Sequence, residues 1–129
     1  MDKILTEISA GELLDKISIL EIKIEKIKNQ DLKNHVKEEY NMLNQAKEKS
    51  IEMTPHITKL YLELKQTNLK LWQIEDEIRL CEKNSDFKEK FIKLARDVYI
   101  NNDTRSSLKR SINQKLGSNI IEVKEYTKY

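Results

Sequence analysis

Residues 69–82 read LKLWQIEDEIRLCE, and the fold is decided here because one short stretch carries an apolar seam and a polar stripe at the same helical period. Followed back along the chain, the seam is Ile57, Leu60, Leu64, Thr67, Leu71, Ile74, Ile78 and Cys81. Its spacings of three and four are those of one face of an amphipathic helix. Beside it run Tyr61, Lys65, Asn68, Trp72, Glu75, Arg79 and Glu82, a stripe that sets the only tryptophan of the chain next to an acid and a base.

The bulk composition extends that helix to the whole chain. Charged residues make up 36% and hydrophobic residues 38%, with 2 Gly and 1 Pro, which suits long charged helices and leaves few of the tight turns that sheets need. A length of 129 residues is that of a single domain, 1–129, able to bury a core without staples. The net charge of +2, from 24 basic and 22 acidic side chains interspersed along the chain, creates no field that argues for nucleic acid or an anionic membrane as partner. Cys81 is the only cysteine; on the apolar seam it reads as an inert buried thiol suited to a reducing compartment. Early charges from Asp2 to Lys16 interrupt any signal segment, and no run reaches the length of a membrane span. The expectation is a soluble cytoplasmic protein.

The expected fold is all-α, an antiparallel four-helix bundle-like domain with helices over 10–28, 31–51, 55–83 and 86–116. Ser9 and Glu12 have the spacing of a capping box and start the first helix. Its core line is Leu13, Ile17, Leu20, Ile24 and Ile27, with Ile19 and Ile22 on the far side. Such a helix packs on two sides, as a central helix or a subunit contact, and the second option leads to an expected homo-oligomer. The second helix is mostly Lys, Glu, Asn and Gln and reads as a solvated outer helix. Thr54 and Pro55 open the third as cap and first-turn residue. The fourth has the seam Phe87, Phe91, Leu94, Val98, Asn101, Arg105, Leu108 and Ile112, and around Asn101, Asn102 and Asp103 it either continues or breaks and restarts. Gly117 stops it. The segments 3–9 and 120–126 alternate in hydrophobicity and could pair as a small terminal β-ribbon.

Four stretches, GELLDKISILEIK, LWQIEDEIR, FIKLARDVYINNDTRSSLKRSIN and GSNIIEVKEYTKY, resemble a bacterial and phage family of uncharacterised domains of about this length. Its patterns are G-E-L-hydrophobic-D-K, L-W-x-I-E-D-x-I-R, L-A-R-x-V-Y-x-x-N-D-x-R and K-R-x-I-N. The resemblance spans nearly the whole chain and implies no established activity; a link to surface-polysaccharide metabolism is what it suggests. The motif positions here include Glu12, Asp15, Lys16, Trp72, Glu75, Asp76, Arg79, Arg96, Tyr99, Asn102, Asp103, Arg105, Lys109, Arg110 and Asn113.

Read for chemistry, those residues point to a cleft between the third and fourth helices, edged by the first. Arginine is a fixed fork that suits carboxylates and phosphates, so Arg79, Arg105, Lys109 and Arg110 would hold an anion and Trp72 or Tyr99 would stack on a ring. Glu75 or Asp103 would act as acid or base if a reaction occurs; Glu12, Lys16, Asp76, Arg96, Asn102 and Asn113 complete the expected binding set. The expected ligand is a small anionic metabolite of the sugar-phosphate or nucleotide kind, with no cofactor. Two other readings stay open. One is a non-catalytic oligomeric assembly module, with Arg105 paired to Glu75 or Asp76 in a structural network. The other is a Mg²⁺-dependent nucleotide pyrophosphatase-like enzyme using Glu75, Asp76, Glu82 and Asp103. Against it, Glu75 and Glu82 are two turns apart with Arg79 between them, which reads as a charge ladder, and no metal site is expected. His35 and His56 lack the spacing of zinc ligands, and no glycine-rich phosphate loop is present.

Overall fold

The computed structural model describes all of residues 1–129, and four helices account for its regular structure: α1 Ala10–Lys26, α2 Gln30–Ser50, α3 Pro55–Lys83 and α4 Glu89–Leu116. Each start follows from local chemistry. The Ser9 hydroxyl accepts the Glu12 amide at 3.1 Å, Asn29 accepts Leu32 at 3.1 Å, and Thr54 accepts Ile57 at 3.2 Å with Pro55 in the first turn, so otherwise orphaned N–H groups are satisfied. The capping box at α1 is only half made, because the Glu12 carboxylate turns away to Lys109. Helix α4 starts at Glu89 rather than at residue 86, since Asp86 instead accepts the Lys88 amide at 3.2 Å and its own amide bonds back to Cys81. Through Asn101 to Asp103 the helix continues unbroken, and Asn101 Nδ2 donates to the Asp97 carbonyl at 2.8 Å. Gly117 at φ 65° ends it in the left-handed region, where glycine lacks the Cβ penalty.

No strand forms at the termini, so the expected ribbon is replaced by two irregular segments joined by one hydrogen bond, Asn119 Nδ2 to Glu7 at 2.9 Å. An isolated two-stranded ribbon is marginal in water. Ile4, Leu5, Val123 and Tyr126 are all exposed, so the apolar positions of both segments find no packing partner.

Helices α3 and α4 form the longest pairing, and α1 is the one helix on which all the others pack, while α2 approaches α1 alone. At 17 residues against 29, α1 spans about 25 Å and α3 about 43 Å, so α1 covers only part of the α3/α4 pair. It lies obliquely across them, touching α4 at its start through Gly11 and Asn113 and α3 toward its end, where Tyr61 and Lys65 bind Glu21. The main core, Leu14, Ile57, Leu64 and Ile112, sits under the first half of α1, and a second cluster of Ile74, Cys81 and Leu94 joins α3 to α4 beyond it. Burial of each such side chain contributes about 1.5–3 kcal/mol.

Ile22 is fully buried and Ile19 half-buried within the single chain. The two-sidedness of α1 is therefore that of a central helix, whose far side is already covered within the single chain. Gly11 lets α1 start so close to α4: a Cβ there would lie 2.6 Å from the Lys109 carbonyl oxygen and 2.9 Å from Asn113 Oδ1.

Candidate functional site

Where α1 crosses α3 and α4, a polar cluster is sealed inside the apolar core. Asp15 has no exposed surface. Its Oδ1 accepts Arg105 Nε at 2.9 Å and Asn68 Nδ2 at 2.9 Å, and its Oδ2 accepts Arg105 Nη2 at 2.5 Å. Two parallel bonds to one carboxylate are the strongest arrangement a guanidinium makes. Asn68 also donates to Ser18 at 2.8 Å, and the Ser18 hydroxyl donates to the Asp15 carbonyl at 2.8 Å, so α1, α3 and α4 each contribute a polar group to the cluster. Hydrogen bonding to Asp15 holds the Arg105 guanidinium above its ordinary range, against the opposing effect of burial.

Next to this cluster, Lys109 is buried between Glu12 at 2.9 Å and Glu122 at 3.0 Å, with Asp15 at 4.0 Å. Burial pulls its ammonium down, but bonds to Glu12 and Glu122 and the nearby acids outweigh it and leave the group raised. Burial pushes Glu122 up, and Lys109 and Lys124 pull it further down. Asn113 Oδ1 accepts the Gly11 amide at 2.6 Å. Glu12, Lys109 and Asn113, expected in the binding set, thus bind the start of α1 to the end of α4.

A cleft of about 580 Å³ opens on the other side of the crossing. Ile19, Ile22, Leu71 and Val98 make its apolar part, and Trp72, Glu75, Asp76 and Arg79 from α3 face Asn102 and Arg105 from α4. These six are the residues of the expected set that the fold brings together. Arg105 presents here only what Asp15 leaves over: Nη1, which reaches Asn102 Oδ1 at 3.5 Å. Arg79 bonds to Glu75 one turn away on α3, with side chains 72% and 54% exposed. An exposed pair of this kind is weak, about 0–1 kcal/mol, so Arg79 is the cation that can turn to a ligand. Arg105 pairs with neither Glu75 nor Asp76; Asp15, a motif residue on α1, takes that place.

The remaining expected residues lie elsewhere. Tyr99, Asp103 and Arg110 face the C-terminal segment: the Tyr129 hydroxyl donates to Asp103, and its ring meets Tyr99 edge-on with centroids 5.3 Å apart. Asp103 is therefore outside the cleft that holds Glu75. Lys16 and Arg96 are exposed and line neither region. Sequence reasoning overlooked Gly11, Ser18 and the partner role of Asp15, although Gly11, Asp15, Ser18 and Ile22 recur at spacings of four, three and four. The small and polar residues Gly11, Asp15 and Ser18 on one line with Ile22 along α1 were the available signal.

A family model described as "Family of unknown function (DUF6165)" matches residues 4–129, and the chain belongs to that family. No curated protein and no solved structure matches it.

Proposed function

Starting from membership in a family without a described function, we propose that the chain binds a small anionic metabolite of the sugar-phosphate or nucleotide class in the cleft between α1, α3 and α4. The observation that carries this reading is the joint lining of the cleft by Trp72, Arg79 and Arg105 Nη1 over an apolar floor. Trp72 offers a flat face to a sugar or base ring. Asn102 and the carboxylates of Glu75 and Asp76 are matched to ring hydroxyls, and Arg79 and Arg105 supply donors for one anionic group. With two acids on the same rim, the ring and hydroxyls carry more of the recognition than charge does. Glu75 is the acid or base within reach if a reaction follows binding. A place in surface-polysaccharide metabolism is consistent with a sugar-phosphate ligand.

Because Trp72 is the only tryptophan, its emission reports this cleft and no other. Titration with sugar phosphates, nucleotides and nucleotide sugars is expected to give a saturable change for at least one class, with a matching rise in melting temperature by mass action. A flat response across all three classes would remove the proposal.

The rival reading, an oligomeric assembly module, is favoured by Leu80, Phe87 and Ile92, which stand exposed near the far ends of α3 and α4. Light scattering decides it: a concentration-dependent mass reduced by Phe87→Ser supports assembly, and a monomer at high micromolar concentration rejects it.

A further inference from the structure

The outer face of α4 carries a second collection of polar groups that the cleft does not use, and the chain covers it with its own end. After Gly117 the backbone turns back. Ser118 accepts the Ala10 amide at 3.2 Å, Glu122 meets Lys109, and Tyr129 reaches Asp103 and Tyr99, close to the middle of α4. Residues 118–129 therefore lie as a strap along the helix, and a depression of about 450 Å³ remains between strap and helix.

Its lining side chains include three cations, Arg110, Lys124 and Lys128, and one acid, Asp103. The whole chain has a net charge of only +2, so this is a local concentration of positive charge. Asp103 is engaged by Tyr129, and Lys124 shares Glu122 at 3.3 Å. Arg110 and Lys128 take part in no ion pair. Ser106 and Ser107 border the same space from α4, and neither hydroxyl is used in a hydrogen bond within the chain. A guanidinium fork, ammonium groups and hydroxyls around one concavity are a donor set that outnumbers the one side-chain carboxylate lining it, Asp103. Phosphate oxygens accept from all three kinds of donor.

We propose that this depression is a phosphate-binding site, distinct from the Trp72 cleft and independent of whether that cleft binds anything. Arg110 binds two oxygens of the phosphate, Lys128 and Lys124 neutralise it, and Ser106 and Ser107 donate from the floor. The strap contributes two of the three cations, so binding also ties residues 124–128 to α4.

Isothermal titration calorimetry with inorganic pyrophosphate and inorganic phosphate, on the full chain at low salt, tests the site. Saturable binding is expected that weakens as salt screens the charges. It should fall at least about tenfold in the double variant Arg110→Gln/Lys128→Gln, as expected for lost charged hydrogen bonds, and stay unchanged in Lys37→Gln, which removes an exposed cation of α2 away from both sites. Both substituted cations are at the surface, and a circular dichroism melt matching wild type confirms the fold. No binding to wild type would overturn the assignment, as would a double variant that binds normally. A loss that follows Arg79→Gln instead would also overturn it, by placing the anion in the cleft.

Discussion

Arg105 and Arg79 border the same cleft, yet the first is held by a carboxylate sealed from water and the second by one that is half in it. The Asp15 side chain is 1% exposed and that of Arg105 29%, against 54% for Glu75 and 72% for Arg79. At the crossing, breaking the pair strands a charge in the core, so the contact specifies where α1 lies on α3 and α4. At the rim, solvent replaces either partner at little cost. One region holds the fold and its neighbour is left available for binding, and the difference is burial rather than residue type.

The largest expected effect breaks the crossing. Asp15→Leu should destabilise the chain by about 3–5 kcal/mol, because Arg105 loses its partner and Asn68 loses one of its two acceptors, keeping only Ser18. Urea unfolding measures it. Adding Arg105→Leu should recover much of the loss, whereas a double variant worse than the single one would show that the network stabilises beyond its charges. For the same reason Arg105→Leu alone, which leaves Asp15 buried and unpaired, should lower the melting temperature as well as alter the cleft.

Gly11→Ala is next. The added Cβ meets the Lys109 backbone, which cannot swing aside as a side chain would, so α1 must shift from α4. Overpacking of this kind costs about 1–3 kcal/mol, more than the improved helix propensity returns. A melting temperature at or above wild type would mean that the α1–α4 approach is looser than drawn here.

The third effect is a pH dependence at the border of the crossing. Glu122 is depressed, so its contribution is present above the ordinary glutamate value and lost as pH falls through the lower folded value. Lys109 is raised, so its contribution is full below the ordinary lysine value and lost as pH rises through the higher folded one. Stability measured across pH should show a plateau between these limits, and Glu122→Gln should flatten its acid edge. Since Glu122 is about a third exposed, solvent screening keeps the change below about 1 kcal/mol. An acid limb unchanged in Glu122→Gln would assign the loss to other carboxylates.

How far the crossing and the rim could be read from sequence differs for the same reason that their energies do. The period of Ile57 to Cys81 and of Phe87 to Ile112 identifies α3 and α4 and the faces they bury, and Ser9, Asn29, Thr54 and Gly117 mark ends to within a few residues. The grouping of Trp72, Glu75, Asp76 and Arg79 was equally visible, because residues three and four apart on one helix must be neighbours. What a single-helix pattern cannot contain is the axial offset and crossing angle between helices. Arg105 visibly needed an acid, and the facing helix offered Glu75 and Asp76. The oblique course of α1, permitted by Gly11, delivered Asp15 instead. The course of residues 118–129 depends on contacts of Glu122 and Tyr129 with α4 that no periodicity encodes, which is why Tyr99, Asp103 and Arg110 were expected in the cleft and lie beneath the strap.

The smallest effect on stability is the most informative about the division between crossing and rim. Arg79→Gln removes a pair worth no more than about 0.5 kcal/mol, so its melting temperature should match wild type. In a Trp72 fluorescence titration with whichever sugar phosphate or nucleotide the wild type binds, the same variant should lose at least about tenfold in affinity, the loss of one charged hydrogen bond. Affinity equal to wild type, or a fall in melting temperature of the size seen for Asp15→Leu, would contradict the account.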